Sequence, residues 1–421
     1  MDRSTRRVFL KRSLATASGL LLSPSRTWSS AALTRPKLPV AGVATVFYRN
    51  SHAHVILGKI LDGWKQDGGP GPDLELVSLY VDQVPKNDMS RDLAKKFGFR
   101  LAKTIDEAIN LGGDTVGVAG VLSIGEHGEY PHDPVTKQHL YPRKRFFDEI
   151  VAALKRGGKV VPVFNDKHLS ARTEEAIAMY RTAKEMNMPF MAGSSVPVAW
   201  RVPPLEVPIG SDMESAIAVG YAGEESYGSH ALEVLQCMIE RRRGGEAGIE
   251  SVRAVQGKEI LAAEKNGYWS RQVLAAALRA GDAKLADDWL DELVRLGRPF
   301  YLIDHRDGFK SCVAMTTSNA FLFACKLKGE NRPQATEFAL QKGPPNRHFA
   351  WLLRGIEHMV HTRQPAYPVE RTVITTGILD AAMRSLSQDR ARIATPLLGI
   401  SYKPREWKHA PGIPPEPRED Y

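Results

Sequence analysis

Residues 159–192 of this 421-residue chain read KVVPVFNDKHLSARTEEAIAMYRTAKEMNMPFMA. The apolar run from Lys159 to Phe164 predicts a buried strand, and Ser170 is placed to cap a long helix that reaches Asn187. A second short strand, residues 190–192, follows directly. A strand–helix–strand unit of this length forms a right-handed crossover between parallel strands, so this stretch predicts a parallel sheet covered by helices.

The same alternation runs through the chain before this unit. Apolar runs rich in β-branched residues predict strands at residues 40–47, 74–81 and 116–124, with helices between them. Repeated strand–helix units are typical of a doubly wound sheet. We therefore expect a Rossmann-type domain over residues 38–203.

The pattern changes after the Pro203-Pro204 pair. Strand-like runs joined by short turns predict a mostly antiparallel sheet with helices on one face. One long helical stretch is expected at residues 269–296. The predicted fold class is thus α/β: an N-terminal Rossmann-type parallel sheet, then an α+β domain over residues 204–400 for substrate binding and oligomerisation. We expect a homo-oligomer formed through the second sheet, and a Pro-rich tail at residues 401–421.

The first 32 residues resemble an export signal. The Arg6-Arg7 pair is followed by Phe9, Leu10 and Lys11, then by an apolar stretch and by small residues at 29–32 that suit cleavage. This pattern predicts a twin-arginine signal peptide, with the twin-arginine export machinery as partner of the precursor. The mature protein is then expected in the periplasm or otherwise outside the cytoplasm.

The net charge of the chain argues against a nucleic-acid-binding protein. The formal net charge is +9. The signal segment holds six basic residues and one acidic residue, so the mature chain stays near +4 and a nucleic-acid partner is not expected.

Three scattered cysteines, Cys237, Cys312 and Cys325, are too few for a zinc site or a disulfide framework. A Cys312–Cys325 disulfide requires a hairpin there; otherwise all three are expected to be small buried side chains.

Ligands bind doubly wound sheets at the loops that leave the carboxyl ends of the strands. The first such loop, residues 48–54, lacks the glycines of a dinucleotide-binding loop, although Arg49 could pair with a phosphate beside Asn50. A purely structural loop is an equal alternative. The second loop begins at Asp82, which could accept hydrogen bonds from a ribose or simply form a turn.

The third and fourth loops carry the ionisable groups. Glu126 and His127 follow a central strand and suit sugar-hydroxyl binding, acid–base chemistry or a metal. In the fourth loop Asp166 and Lys167 follow another strand. The lysine, expected to be exposed, could lower the pKa of an alcohol or orient its hydroxyl; a loop that enters a helix with a solvated lysine is the alternative. His230 opens a helix of the second domain, where the helix N-terminus favours a neutral base; a histidine packed against the sheet is an equal alternative.

Two segments resemble the Gfo/Idh/MocA family of glucose–fructose oxidoreductase and inositol dehydrogenase. Residues 158–167, GKVVPVFNDK, are similar to the family's strand that ends in Glu-Lys-Pro, with Asp166 for Glu and His168 for Pro. Residues 228–233, GSHALE, are similar to its Gly-x-x-x-His-x-x-Asp helix. The resemblance covers about residues 38–400.

The resemblance implies an exported oxidoreductase that holds NAD or NADP tightly and acts on a sugar, polyol or glycoside. It implies that Lys167 is the catalytic lysine and His230 the active-site histidine, with His127 beside them. The cofactor would be held by Arg49, Asn50, Asp82, Glu126 and Asp166. The chain departs from the family at the glycine-rich loop.

Two alternatives keep the fold and drop the cofactor. One is a metal-assisted lyase or hydrolase built from Glu126, His127, His168 and His230; the other is a non-catalytic carbohydrate-binding protein. All three hypotheses share one expectation: Lys167, His127 and His230 line a common cleft, because loops at the carboxyl ends of parallel strands meet at one edge.

Overall fold

The computed structural model describes residues 36–419, so the signal peptide predicted at residues 1–32 lies outside the described residues. Within residues 36–419 two sheets form the framework, of six and eight strands. No helix in this range is long and apolar enough to cross a membrane.

The first sheet is parallel throughout and has the strand order of a Rossmann fold, β3-β2-β1-β4-β5-β6. The predicted strand at 116–124 begins only at Gly120, and the short β3 was not predicted. The six strands of the first sheet are β1 Leu38–Ala44, β2 Leu74–Val81, β3 Arg100–Ala102, β4 Gly120–Ile124, β5 Val163–Asp166 and β6 Phe190–Gly193.

The crossover helices of this sheet are α1 His52–Asp62, α2 Ser90–Phe97, α3 Ile105–Asn110, α4 Arg143–Arg156 and α5 Thr173–Glu185. The prediction that Ser170 caps α5 is wrong. The backbone N–H of Thr173 donates instead to Asp380 Oδ2 at 3.0 Å, and the Ser170 hydroxyl donates to Glu175. The cap is supplied by a carboxylate 207 positions away in the chain.

The second sheet is mostly antiparallel, as predicted, in the order β14-β9-β10-β11-β8-β12-β13-β7, and only β8 and β11 pair in parallel. Because β8 lies between β11 and β12, Cys312 and Cys325 are not on one hairpin, and all three cysteines are buried and free. The strands are β7 Trp200–Val202, β8 Met213–Gly220, β9 Ile249–Val255, β10 Phe300–His305, β11 Lys310–Met315, β12 Leu322–Leu327, β13 Gln334–Ala339 and β14 Ile393–Ala394.

The remaining helices are α6 Ser226–Ile239, α7 Glu259–Lys265, α8 Arg271–Ala280, α9 Trp289–Leu296, α10 His348–Thr362 and α11 Glu370–Ser387. The expectation of helices on one face of the second sheet is wrong. Ala218 and Phe323 pack into one core with α6 and α11, whereas Ile217 and Leu322 pack into another with α7, α8 and α9. Helices of the same chain therefore cover both faces of this sheet.

The long helix predicted at residues 269–296 is also interrupted. Helix α8 ends at Gly281 and α9 begins only at Trp289. Up to residue 419 the Pro-rich tail packs against the body, with the Ala410 N–H donating to the Val198 carbonyl at 3.0 Å.

Helices α6 and α11 connect the two sheets at the carboxyl edge of the first. The Thr372 hydroxyl on α11 donates to the Ala192 carbonyl of β6 at 2.9 Å, and the Leu169 N–H donates to Thr376 Oγ1 at 3.1 Å. This packing brings the first turns of α6 against the loops that follow β5 and β6.

Candidate active site

Lys167 and His230 meet where the two sheets join. Lys167 Nζ lies 2.6 Å from His230 Nε2, and His230 Nδ1 lies 2.6 Å from Ser194 Oγ. The expected convergence of the β5 loop with the start of α6 is therefore observed. Ser194, which follows β6, was not singled out from the sequence.

The backbone around Lys167 is tightly specified. Lys167 has φ = +68°, and its N–H donates to the Gly193 carbonyl at 3.2 Å. A Cβ at Gly193 would lie 2.7 Å from Thr372 Oγ1 and 3.0 Å from the Glu233 carboxylate, so glycine is required there. The expectation of an exposed lysine is wrong: Lys167 is only 7% exposed.

The protons of this chain of contacts can be assigned. Burial, together with the Lys167 charge, holds the pKa of His230 well below its usual 6.5, so the imidazole is neutral near pH 7. The Lys167 ammonium donates to Nε2, which leaves the imidazole proton on Nδ1, where it donates to Ser194 Oγ. The result is a directed chain from Lys167 through His230 to Ser194.

Glu126 completes the charged centre. One oxygen lies 3.9 Å from Lys167 Nζ and the other 2.5 Å from Arg143 Nη2. Burial alone would raise the pKa of Glu126, but the charges of Lys167 and Arg143 outweigh it and hold that pKa well below its usual value. Glu126 is therefore an ionised partner of two cations.

His127 lies beside these groups but has no hydrogen bond to Lys167 or His230 among the described residues. Its ring packs against Tyr48 and His52, with centroids 5.9 Å and 5.2 Å away. Burial and the neighbouring His52 lower the pKa of His127 to about 4, so the ring is neutral. Its Nε2 is buried and has no partner among the described residues, so it is available to bond a ligand.

His52 and Asp166 form a second pair of interacting side chains, which was not predicted from the sequence. His52, the first residue of α1, donates from Nδ1 to Asp166 Oδ2 at 2.6 Å, and its ring contacts Phe349 at 4.9 Å between centroids. The other oxygen of Asp166 is buried and has no partner among the described residues. Only the position of both residues at the carboxyl edge of the sheet could have signalled this pair.

An outer cleft of about 680 Å³ lies at the carboxyl ends of β1, β2 and β4, lined by Val46, Tyr48, Gln83, Val84, Pro85, Gly128 and Glu129. Asp82, the expected ribose ligand, is not among the lining residues. Its oxygens accept from Tyr80, Tyr130 and Arg145, each at 2.7 Å. Gln83 takes its place on the cleft wall.

The loop between β1 and α1 satisfies its own backbone. The N–H groups of Tyr48 and His54 donate to Ser51 Oγ at 3.2 Å and 3.3 Å, and that of Asn50 donates to His54 Nδ1 at 3.1 Å. A glycine-rich loop would leave such groups for phosphates. Arg49 and Asn50 are exposed.

No group of three His, Cys, Asp or Glu side chains within residues 36–419 is arranged to hold a metal ion. His230 Nε2 contacts Lys167, and His230 Nδ1 contacts Ser194. His168 Nε2 contacts Arg143 at 2.8 Å. The residues named for a metal-assisted alternative therefore do not converge on one centre.

Comparisons with known proteins identify the fold. No family model matches the chain, and no curated protein matches it. Among solved structures, GenD2 from gentamicin A biosynthesis, in complex with NAD, is 16% identical with a TM-score of 0.54, over 86% of this chain and 97% of GenD2. Apo scyllo-inositol dehydrogenase from Lactobacillus casei is 10% identical with a TM-score of 0.51, over 86% and 99%. At these identities the likeness shows the fold, and it is the two-sheet fold that the family resemblance implied.

Proposed function

We propose that this protein is an NAD(P)-dependent oxidoreductase that acts on a sugar, a polyol or a glycoside. The observation that carries the proposal is the Lys167–His230–Ser194 chain at the carboxyl edge of a Rossmann sheet. The similar solved structures include a protein bound to NAD and an inositol dehydrogenase, which supports the same class of reaction.

Oxidation of a carbinol needs a group that removes the hydroxyl proton. Lys167 Nζ, bonded to a neutral imidazole and 3.9 Å from the Glu126 carboxylate, is the group that would bind that hydroxyl. Lys167 would pass one of its protons to the neutral His230 at Nε2 and take the hydroxyl proton in its place, while Ser194 keeps the ring oriented through Nδ1. A bound nicotinamide would supply the hydride acceptor.

The size and the lining of the outer cleft are compatible with a bound nucleotide. Its volume, about 680 Å³, lies within the usual range for cofactor sites, and Val84 presents an unusually exposed apolar side chain to it. The unpaired His127 Nε2 would hold the nicotinamide end, and Arg49 with Asn50 would face the diphosphate. These residues fit a nucleotide held by side chains rather than by a glycine-lined helix N-terminus.

The cofactor is tested by denaturing the purified protein and measuring released nucleotide. We expect about one NAD or NADP per chain, or a raised melting temperature when millimolar NAD is added. Val84→Glu should abolish both signals by placing a carboxylate in the cleft. Ile209→Glu is the matched control, since Ile209 is equally exposed, 47% against 48%, and does not line the cleft. Absence of nucleotide and of any shift would refute the cofactor.

A cofactor-free acid–base enzyme or carbohydrate-binding protein on the same fold is the second candidate. The observation that favours it is the β1–α1 loop, whose N–H groups at Tyr48, Asn50 and His54 are already bonded within the loop. A negative result in the nucleotide experiment selects this candidate.

We also propose export by the twin-arginine route, because the Arg6-Arg7 pair precedes an apolar stretch. Arg6→Lys together with Arg7→Lys is expected to retain the precursor in the cytoplasm, since the receptor reads the guanidinium pair. Cell fractionation measures the outcome, with Arg3→Lys as the control. Normal periplasmic yield of the double variant would refute this route.

A further inference from the structure

A small, partly open cavity lies beside Lys167. It measures about 40 Å³ and is lined by Glu126, His139, Tyr141, Arg143, Lys167, His168, Glu225, Ser226 and Ser229. One water molecule takes up about 30 Å³ in the liquid. The cavity therefore has room for a small polar group such as a hydroxyl or hydroxymethyl group.

Arg143 determines the protonation of the cavity wall. It is 1% exposed and donates to the Gly125 carbonyl at 2.9 Å, to Glu126 and to His168 Nε2 at 2.8 Å. A guanidinium only donates, so His168 Nε2 accepts. The pKa of His168 is lowered by burial and by Arg143. The neutral ring therefore carries its proton on Nδ1.

This assignment leaves one donor and one acceptor unpaired. His168 Nδ1 is buried and has no partner among the described residues, and the same holds for Glu225 Oε1. Glu225 Oε1 is 3.5 Å from His168 Nε2, but that nitrogen has no proton to give. Buried polar groups left unpaired cost free energy, so two of them on residues that line one cavity point to a missing ligand.

We propose that Glu225 and His168 form a hydroxyl-binding pair that selects substrates with a second, uncharged hydroxyl group beside the one that meets Lys167. A hydroxyl group both donates and accepts, so it satisfies the Glu225 oxygen and the His168 N–H together. A carboxylate or phosphate in the cavity would face Glu225 Oε1 without a proton between them, and a deoxy group would leave both atoms unpaired. The substrate class is therefore a neutral polyol or sugar, and this inference rests on the proposed function.

The test measures binding rather than turnover. Isothermal calorimetry on the purified protein compares D-glucose and myo-inositol with their single-position deoxy analogues and with glucuronate. The wild type is expected to bind one parent compound and to bind one of its deoxy analogues roughly 10–100-fold more weakly. Glucuronate is expected to bind weakly as well.

Glu225→Leu should lower the affinity for the parent compound to that of the critical deoxy analogue, while leaving the affinity for that analogue unchanged. Glu225→Gln keeps the size and one acceptor oxygen, so it should lose less, and it serves as the second variant if the leucine protein does not fold. Glu224→Leu is the matched control, because Glu224 pairs with Arg298 outside the cavity.

The outcomes separate this inference from the cofactor. Equal losses for parent and deoxy compounds in Glu225→Leu and Glu225→Gln would overturn the hydroxyl-binding pair. If no polyol binds the wild type, the substrate class and the pair both fail, whatever nucleotide is released. If the deoxy-selective loss appears in a protein that releases no nucleotide and shows no melting-temperature shift with added NAD or NADP, the pair stands and the nicotinamide is refuted.

Discussion

Lys167→Met is expected to lower turnover by about 10²–10⁴-fold, the range typical of removing a group that transfers a proton in the reaction. Methionine keeps the length of the side chain but removes the Nζ that bonds His230 at 2.6 Å and faces Glu126 at 3.9 Å. Arg143 still pairs with Glu126 at 2.5 Å, so that carboxylate is not left alone. The protein should therefore fold.

The measurement follows absorbance of the bound nicotinamide after a polyol is added to the purified holoprotein, with the melting temperature recorded alongside. Lys59→Met is the matched control. Lys59 is also buried and donates to Gln66 at 2.9 Å and to the Pro345 carbonyl at 2.5 Å, and burial lowers its pKa to about 7. Its replacement should change stability and leave turnover per folded molecule intact. Turnover of Lys167→Met within threefold of wild type would remove Lys167 from the mechanism.

Arg371→Met is expected to cost about 3–5 kcal/mol of unfolding free energy, the usual result of breaking a buried ion pair on one side. Arg371 on α11 donates from Nε and Nη2 to the two oxygens of Glu240, at 3.0 Å and 2.5 Å. Both residues are buried. Without Arg371, the Glu240 carboxylate keeps the Tyr402 hydroxyl at 2.7 Å as its nearest donor.

Urea unfolding followed by tryptophan fluorescence measures this loss. The double variant Arg371→Met/Glu240→Leu should recover most of it, because it removes the uncompensated charge along with its partner. Arg354→Met is the control for losing an arginine, because Arg354 is exposed and lies over the half-buried rings of Trp64 and Trp351, and it should change stability by less than about 1 kcal/mol. A cost for Arg371→Met as small as that of the control would mean that this pair does not hold α6 to α11.

The Arg371–Glu240 ion pair matters for the candidate active site, because it joins α6, which carries His230, to α11, whose side chains contact β6 and α6. Thr372, next to Arg371, donates to the Ala192 carbonyl and to Glu233. Burial raises the pKa of Glu233 to about 7, and it lies one turn beyond His230 on α6. The position of His230 thus depends on contacts made by a helix more than 130 residues later in the chain.

The sequence alone predicted the parallel sheet and the meeting of Lys167 with His230. Apolar runs alternating with helical stretches are local signals, and a parallel strand order brings the ends of β4 and β5 to one edge whatever the side chains are. The cap of α3 is a local signal of the same kind, since the Thr104 hydroxyl accepts the Glu107 N–H only three residues away at 3.0 Å. What depends on neighbours in the chain, or on topology, was predictable.

Only the tertiary structure decided what each polar group does. The sequence position of Asp82 suited a ribose ligand, but Tyr130 and Arg145, 48 and 63 residues away, donate hydrogen bonds to its carboxylate. Asp166 contacts His52 at a separation of 114 residues, and Arg143 sets the tautomer of His168 from the start of α4. The direction of a side chain and the partner it meets depend on packing between distant segments, and no local pattern of residue types contains that information.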